Sequence, residues 1–379
     1  MALLAVAIVV CGIGCASASA AWTVKSTTPP TGSKESKLEG ISCINGELCW
    51  AVGDYHTTAG VQEPLADSVY GGLAYPPTPG KEPILTSDSC PHENAEEFCM
   101  AVGRFINGGG EREAFAEKHT RTNGWELQKL KFPAGNTASE LGMVSCPTTT
   151  ECTAVGDYHD STGEHYLAEQ WSSTGGWSAE APAAPTGAGY PAMLGLSCPK
   201  AKECKTIGIY RTSPYTPNLQ VGEPDNWNGT TWTRSGTTMS DPGTEPFMTG
   251  LSCITMSECV GVGYYTGTNI EMMAQEWNGT RWEPWTITQT GTNELYGVSC
   301  WTSYAKCVAV GRHVAAGVPT AIGEELASNS WSAITLPSIS GATASTLDRV
   351  SCVETIVLCY AVGSYVSGGK NVLLVERSF

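Results

Sequence analysis

The sequence predicts an all-β chain folded as a seven-bladed β-propeller of four-stranded antiparallel blades, with the ring closed by an N-terminal strand that completes the last blade. Three observations predict it. Fourteen cysteines form seven evenly spread pairs, each flanking region divides into four short strand-like segments, and the two ends of the chain carry complementary fragments of a repeat. A fixed long period of this kind marks a repeat architecture.

The pairs are Cys43/Cys49, Cys90/Cys99, Cys146/Cys152, Cys198/Cys204, Cys253/Cys259, Cys300/Cys307 and Cys352/Cys359, with first members 47, 56, 52, 55, 47 and 52 residues apart. Ser precedes each first Cys, and a Gly follows each second Cys within four residues, as in Ala51-Val52-Gly53 and Ala154-Val155-Gly156. The first strand of a unit ends in Ser-Cys, as in Leu295 to Cys300. The second reads Cys-x-Ala-Val-Gly-x-Tyr, as in Cys152 to Tyr158. The third resembles Tyr166 to Trp171, and the fourth opens on Trp, as at Trp177, Trp232, Trp282 and Trp331. Asn228-Gly229 and Asn278-Gly279 separate the third and fourth strands and suit a two-residue hairpin. They also belong to formal glycosylation sequons, which are read here as turns.

The last unit stops after its third strand, Val372 to Arg377, whereas Trp22 to Lys25 reads as a lone fourth strand. Closing the ring with that strand removes an open sheet edge. A solenoid would instead carry polar caps at both ends. The cysteines then lie at the two ends of the inner hairpins, and a disulfide is expected in every blade. Their spacing fits no common zinc site, and an oxidising, extracytoplasmic location follows.

Composition agrees. Gly (43) and Pro (22) are frequent and charged residues are few at 15%, as in a turn-rich β protein. Acidic residues outnumber basic ones 37 to 21, for a net charge of −16. Such a surface repels phosphate backbones, so nucleic acid is not an expected partner, and anionic lipid is disfavoured. Residues 2–15 are apolar and uncharged, and small residues follow to Ala21. Residues 1–21 are therefore expected to be a signal peptide, although its start carries no Lys or Arg. Gly12 occupies a position where a lipobox has an aliphatic residue, so lipidation of Cys15 is not the expectation. Nothing else is long and apolar enough to span a bilayer, and residues 22–379 are expected to form one monomeric domain.

The Ser-Cys…Cys-x-Ala-Val-Gly unit resembles repeats of uncharacterised secreted bacterial proteins, many of them actinobacterial, that are thought to be propellers. The resemblance covers essentially all of residues 22–379. It implies a fold and a secreted origin, and no activity.

Residues shared by all units build the scaffold, so those that break the repeat are the candidates for function. Asp88 stands where the other units have Ile41, Val144, Leu196, Leu251, Val298 and Val350. Beside it, blade two has a longer acidic loop with His92, Glu93, Glu96 and Glu97. Asp88, His92 and Glu93 are the catalytic candidates, and a register shift caused by the longer loop is the alternative account of Asp88. Trp301 follows a first Cys directly, which places it in the loop between the first two strands. With Trp50, it is the candidate for stacking on a ligand. His159 and His165 bracket a polar loop with Asp160 and Glu164 and are the only candidates for a metal, although no ligand spacing is matched. Glu117, Glu169, Glu223, Glu324 and Glu376, with Gln275, recur on the third strand and read as a repeated structural hydrogen bond or a solvated face. The repeated tryptophans read as packing between outer hairpins.

No Gly-x-Ser-x-Gly elbow, His-Glu-x-x-His or phosphate loop is present, and no cofactor is expected. The leading expectation is an extracytoplasmic binding or scaffold propeller that recognises a glycan or an envelope protein. The alternative is a secreted polysaccharide hydrolase or lyase with its site at the channel mouth.

Overall fold

In a computed structural model of the protein, each predicted cysteine pair closes its own hairpin. Cys43 and Cys49, Cys253 and Cys259, Cys300 and Cys307, and Cys352 and Cys359 face each other in register. Cys146 and Cys152, and Cys198 and Cys204, are bonded at the corresponding places in their own hairpins. All seven disulfides are formed, with Cα–Cα distances of 4.0–4.3 Å. Cross-linking so short a loop contributes roughly 2 kcal/mol each in the chain-entropy account.

The Cys90–Cys99 pair departs in one respect from the expected placement at the two strand ends. Cys90 lies just beyond the inner strand Lys81–Ser89, whereas Cys99 opens the second strand Cys99–Ile106, where its cross-strand partner is His119. The inner ladder stops at Ser89 opposite Met100, so Cys99 is joined to Cys90 by the disulfide and not by strand pairing. The physical reason is the longer loop: the two are nine residues apart, against six or seven in the other pairs.

The structure describes residues 21–378 apart from 26–27, 93–96, 185–187, 212–218, 222–224, 235–243, 288, 290 and 354–357. Glu93 and the expected signal segment lie outside the described residues.

Seven antiparallel sheets follow one another at residues 35–74, 81–128, 138–180, 189–234, 244–285, 292–334 and 344–378, blades 1 to 7 in order. Each runs inner to outer in chain order. The third strand of blade 4 is described in two pieces, Leu219–Val221 and Asp225–Trp227. Trp22–Lys25 pairs antiparallel with Lys370–Ser378, Trp22 opposite Ser378, and supplies the outer strand of blade 7. The N-terminal strand therefore closes the ring. Among the described residues, no helix is long and apolar enough to cross a membrane.

Two repeated residues are explained by how the inner strands meet. Every Ser of Ser-Cys accepts a hydrogen bond from the backbone N–H of the Cys in the next blade. Ser42 serves Cys90, Ser89 serves Cys146, Ser145 serves Cys198, Ser197 serves Cys253, Ser252 serves Cys300, Ser299 serves Cys352 and Ser351 serves Cys43, at 2.9–3.1 Å. The seven bonds form an unbroken circle.

The Gly of Ala-Val-Gly faces a β-bulge in the inner strand. A Cβ on Gly156 would overlap the Glu140 carbonyl oxygen, and the same clash with an inner-strand carbonyl recurs at Gly53, Gly103, Gly208, Gly263, Gly311 and Gly363. The bulge inserts one unpaired residue, which re-aims its side chain.

The apolar core lies between blades, in clusters that each join two neighbours, such as Met100 and Val102 with Leu141 and Val144. The outer tryptophans pair across their hairpins, Trp171 opposite Trp177, Trp227 opposite Trp232 and Trp277 opposite Trp282. The Asn-Gly turns are longer than expected. Four residues separate Trp227 from Trp232, and only Gly229 takes a positive φ (91°). Asn228 Oδ1 caps the loop by accepting from the N–H groups of Thr230 and Thr231.

Candidate functional site

The bulged residues identify the more distinctive mouth of the channel. The seven bulges leave Glu39, Thr86, Gly142, Leu194, Thr249, Tyr296 and Asp348 without a cross-strand partner. Each stands three residues before the repeated Ser, and all seven line one cavity of about 530 Å³. Scaffold demands fix the residues on either side, an aliphatic residue or Met before the bulge and Ser-Cys after it. The bulge itself differs in nearly every blade.

The cavity is divided chemically. Blades 6, 7, 1, 2 and 3 supply charge. Lys37 pairs with Glu39 and lies 3.6 Å from Asp54. Arg112 bridges Glu140 and Asp157 at 3.0 Å each, and Arg104 reaches Glu140 at 3.3 Å. Arg312 holds Glu294 at 2.7 Å, and Tyr296 donates its hydroxyl to the same carboxylate. Blades 4 and 5 supply apolar surface from Met193, Leu194 and Phe247. Phe247 stacks on Tyr264 at 5.3 Å, and Tyr264 meets Tyr296 edge-on at 6.5 Å.

The residue after each bulge is Gly in four blades, because a neighbouring inner strand passes close by. A Cβ on Gly297 would lie 2.9 Å from the Arg349 Cα. Blade 7 has Arg349 at this position and blade 3 has Met143. Arg349 Nη1 donates to the carbonyls of Tyr296 (3.0 Å) and Asp348 (2.9 Å), and Nη2 lies 3.4 Å from Met143 Sδ. Blades 7 and 3 are not neighbours, so this contact spans the channel and forms the floor of the funnel.

Burial raises three carboxyls here. Asp348 is pushed up to about 6 by burial, with Glu39 adding to the rise and Arg349, Lys37 and Arg312 opposing it. Asp54 and Asp157 also rise to about 6, by burial against the opposing pull of Lys37 and Arg112 respectively.

The residues singled out from sequence lie elsewhere. Asp88 keeps the register of the other blades, opposite Ala101 as Ile41 is opposite Ala51, so no register shift accounts for it. It is 7% exposed inside the blade 1–blade 2 interface, against Gly40, and neither carboxylate oxygen has a well-formed hydrogen bond. Burial pushes it well above the usual carboxyl range, with only the backbone N–H groups of Ser42 and Asp88 opposing.

His92 is exposed at the opposite, Ser-Cys mouth, with Nδ1 3.1 Å from the Ile44 carbonyl oxygen. Trp301 also borders that mouth. It ends the inner strand Thr292–Trp301 rather than sitting in a loop, and it packs with Trp22, Val308 and Val350. Trp50 is buried against His119 (4.4 Å) and Trp125 (5.5 Å). His159 and His165 each bond a separate carboxylate, Glu164 and Asp160. Among the described residues, no group of three or more His, Cys, Asp and Glu could hold a metal.

The recurrent third-strand acids are not a solvated face. Opposite Ala51, Ala101, Ala154, Thr206, Gly261, Ala309 and Ala361 lie Asp67, Glu117, Glu169, Asp225, Gln275, Glu324 and Glu376, all 0–5% exposed. The register corrects two positions. Asp225, not Glu223, belongs to the circle in blade 4, and Asp67 completes it in blade 1. Glu223 lies outside the described residues. Burial raises Glu117, Glu169 and Glu376 to about 8 and Glu324 to about 7.

No family model and no curated protein sequence matches the chain. Among solved structures it is similar to YCF48 bound to D1 peptide, at 10% identity over 94% of each chain and a TM-score of 0.53. It is also similar to an uncomplexed acylaminoacyl peptidase of Pyrococcus horikoshii, at 8% identity and a TM-score of 0.55. That match covers 92% of this chain and 53% of the peptidase, so the chain spans about half the peptidase's length. At these identities the likeness shows the fold: an all-β, seven-bladed propeller.

Proposed function

We propose that the protein is an extracytoplasmic binding propeller that takes its ligand, a glycan or a segment of an envelope protein, at the bulge mouth. The observation that carries this reading is the circle of seven bulged residues. The scaffold leaves their side chains free to differ, and together they make a concave surface that is charged on one side and apolar on the other. Concavity with a few convergent polar groups is what a ligand site requires. Seven disulfides suit an oxidising environment outside the cytoplasm. The similar YCF48 structure is bound to D1 peptide, which makes a protein partner a natural candidate beside a glycan.

A secreted hydrolase or lyase is the second reading. Glu39 and Asp348, on neighbouring blades, are close enough that the first raises the second, and paired carboxyls in unlike environments are what glycoside cleavage uses.

The test is to incubate the oxidised protein with a panel of polysaccharides and envelope proteins and to measure retention and products in the same samples. Leu194→Arg blocks the bulge mouth, and His92→Ala alters the opposite mouth. Retention lost in the first variant and kept in the second supports the binding reading. Shortened products that vanish in Asp348→Asn replace it with the enzyme. Retention lost only in His92→Ala moves the site to the other mouth.

A further inference from the structure

The charges around the funnel do not balance evenly, and the imbalance points to what enters it. On blades 2 and 3, Arg104 and Arg112 match Glu140 and Asp157. On blade 6, Arg312 matches Glu294. Blades 7 and 1 carry three carboxylates, Glu39, Asp54 and Asp348, against two cations of their own, Lys37 and Arg349; Arg312 of blade 6 acts on Asp348 from next door but is held by Glu294, and Gln62 donates to Asp54 at 2.8 Å. Lys37 is shared by Glu39 and Asp54. Arg349 is held by two backbone carbonyls and a thioether, and no cation of the described residues forms an ion pair with Asp348.

The hydrogen-bonding capacity leans the same way. Asp348 lines the cavity and brings acceptors to it, while the two Nη groups of Arg349 are engaged and its Nε, though without a partner, is sealed from solvent. A ligand must therefore bring donors, and one added positive charge would bring blades 7 and 1 to three against three. Facing this position, Met193, Leu194 and Phe247 form an apolar wall.

We infer that the funnel receives a lysine side chain of a protein partner, its ammonium between Glu39 and Asp348 and its methylene stem along Leu194 and Phe247. Lysine has an apolar stem and a compact charged head, which matches a cavity divided in the same way. Arginine would have to fit a wide planar fork that pairs best with one carboxylate in its own plane, whereas the compact ammonium, with donors in three directions, can sit between two carboxylates on different blades. The net charge of −16 draws a basic segment towards the protein. The inference rests on the bulge mouth being the binding site and narrows it to one partner chemistry.

The experiment uses capped nonapeptides, otherwise uncharged, with a central Leu-Lys-Leu. Matched peptides carry acetyl-lysine, norleucine or glutamate in place of the lysine. Titrations are followed by NMR on the oxidised protein, with Asp348→Asn, Glu39→Gln and His92→Ala alongside. Circular dichroism and thiol counts establish that each variant is folded. The lysine peptide should bind at least ten-fold more tightly than the other three. Its affinity should fall at least ten-fold in Asp348→Asn and several-fold in Glu39→Gln, with no change in His92→Ala.

Equal affinity for the acetyl-lysine or norleucine peptide overturns the inference, as does preference for glutamate or failure of the lysine peptide to bind. If a polymer or envelope protein is retained by the native protein, lost by Leu194→Arg and indifferent to these peptides, the bulge mouth stands and only the lysine falls. If retention follows His92, both fall.

Discussion

Blade 5 already carries the substitution that tests the buried acid circle. Gln275 occupies the position held by Glu169 in blade 3, fully buried in both cases. Glu169→Gln therefore transfers a side chain the architecture accepts. Glu169 is raised from 4.5 to about 8 by burial, with Lys131 opposing. Below 4.5 the folded and unfolded chains both hold the proton. Between 4.5 and 8 the unfolded chain releases it and the folded chain does not, so stability falls as pH rises, and the loss is complete above 8. For one group this linkage amounts to about 4–5 kcal/mol at pH 8. Local relaxation and admitted water reduce the realised value to about 1–3 kcal/mol. For a chain of this size that is about 1–4 °C in Tm. We expect Glu169→Gln to melt that much higher than the native protein at pH 8 and to match it at pH 4.5, by calorimetry with the disulfides intact. The native protein should itself melt higher at pH 5 than at pH 8, because Glu117, Glu324 and Glu376 act in the same sense. A Tm difference that is absent at pH 8, or equal at both pH values, refutes the reasoning.

Other predictions follow from the same packing. Gly156→Ala drives a methyl group into the Glu140 backbone and should cost about 3 kcal/mol or more, whereas Gly108→Ala, with nothing within 4 Å, should leave Tm unchanged to within about 1 °C. Asp88→Leu restores the aliphatic residue of the other blades. It should raise stability at neutral pH by about 1–3 kcal/mol and leave retention at the bulge mouth unchanged, and a loss of binding would show that Asp88 acts in the site. Removing residues 22–25 uncovers the edge of Lys370–Ser378 and should produce self-association on gel filtration; a monomeric product of unchanged Tm would contradict the closure.

The closing strand was legible as the fourth strand that the last unit lacks, and the blades and the disulfide partners because they recur. Each of the latter is a local pattern of a few residues seen seven times. The third-strand circle was half legible, because Asp67 and Asp225 are one methylene shorter than Glu and only the strand register aligns them. Asp88 was visible as an exception, but its sealed position was not, since burial between blades depends on how residues far apart in sequence come together. The funnel was missed for a related reason. Its walls come from all seven blades, from Lys37 to Ser364, and the bulge marks the sequence only through the repeated Gly opposite it, which does not say which inner-strand residue is left unpaired. A further signal was available: the third and fifth residues before each Ser are the inner-strand positions at which the repeats agree least, with six residue types in seven blades at each.

The cysteine pattern bears on how the chain is made. Every bond joins a cysteine to the next one along the chain, six to nine residues away. A polypeptide emerging N-terminus first into an oxidising compartment would offer each thiol its native partner before any other, so the simplest kinetic order of pairing is also the native one. Disulfide isomerases would have little to correct. Ring closure is the opposite case, because Trp22 must wait for Ser378, the residue opposite it, before it has a strand to join. Until then the inner hairpins are already stapled, and the waiting intermediate is a row of locked blades with one uncovered flank at each end.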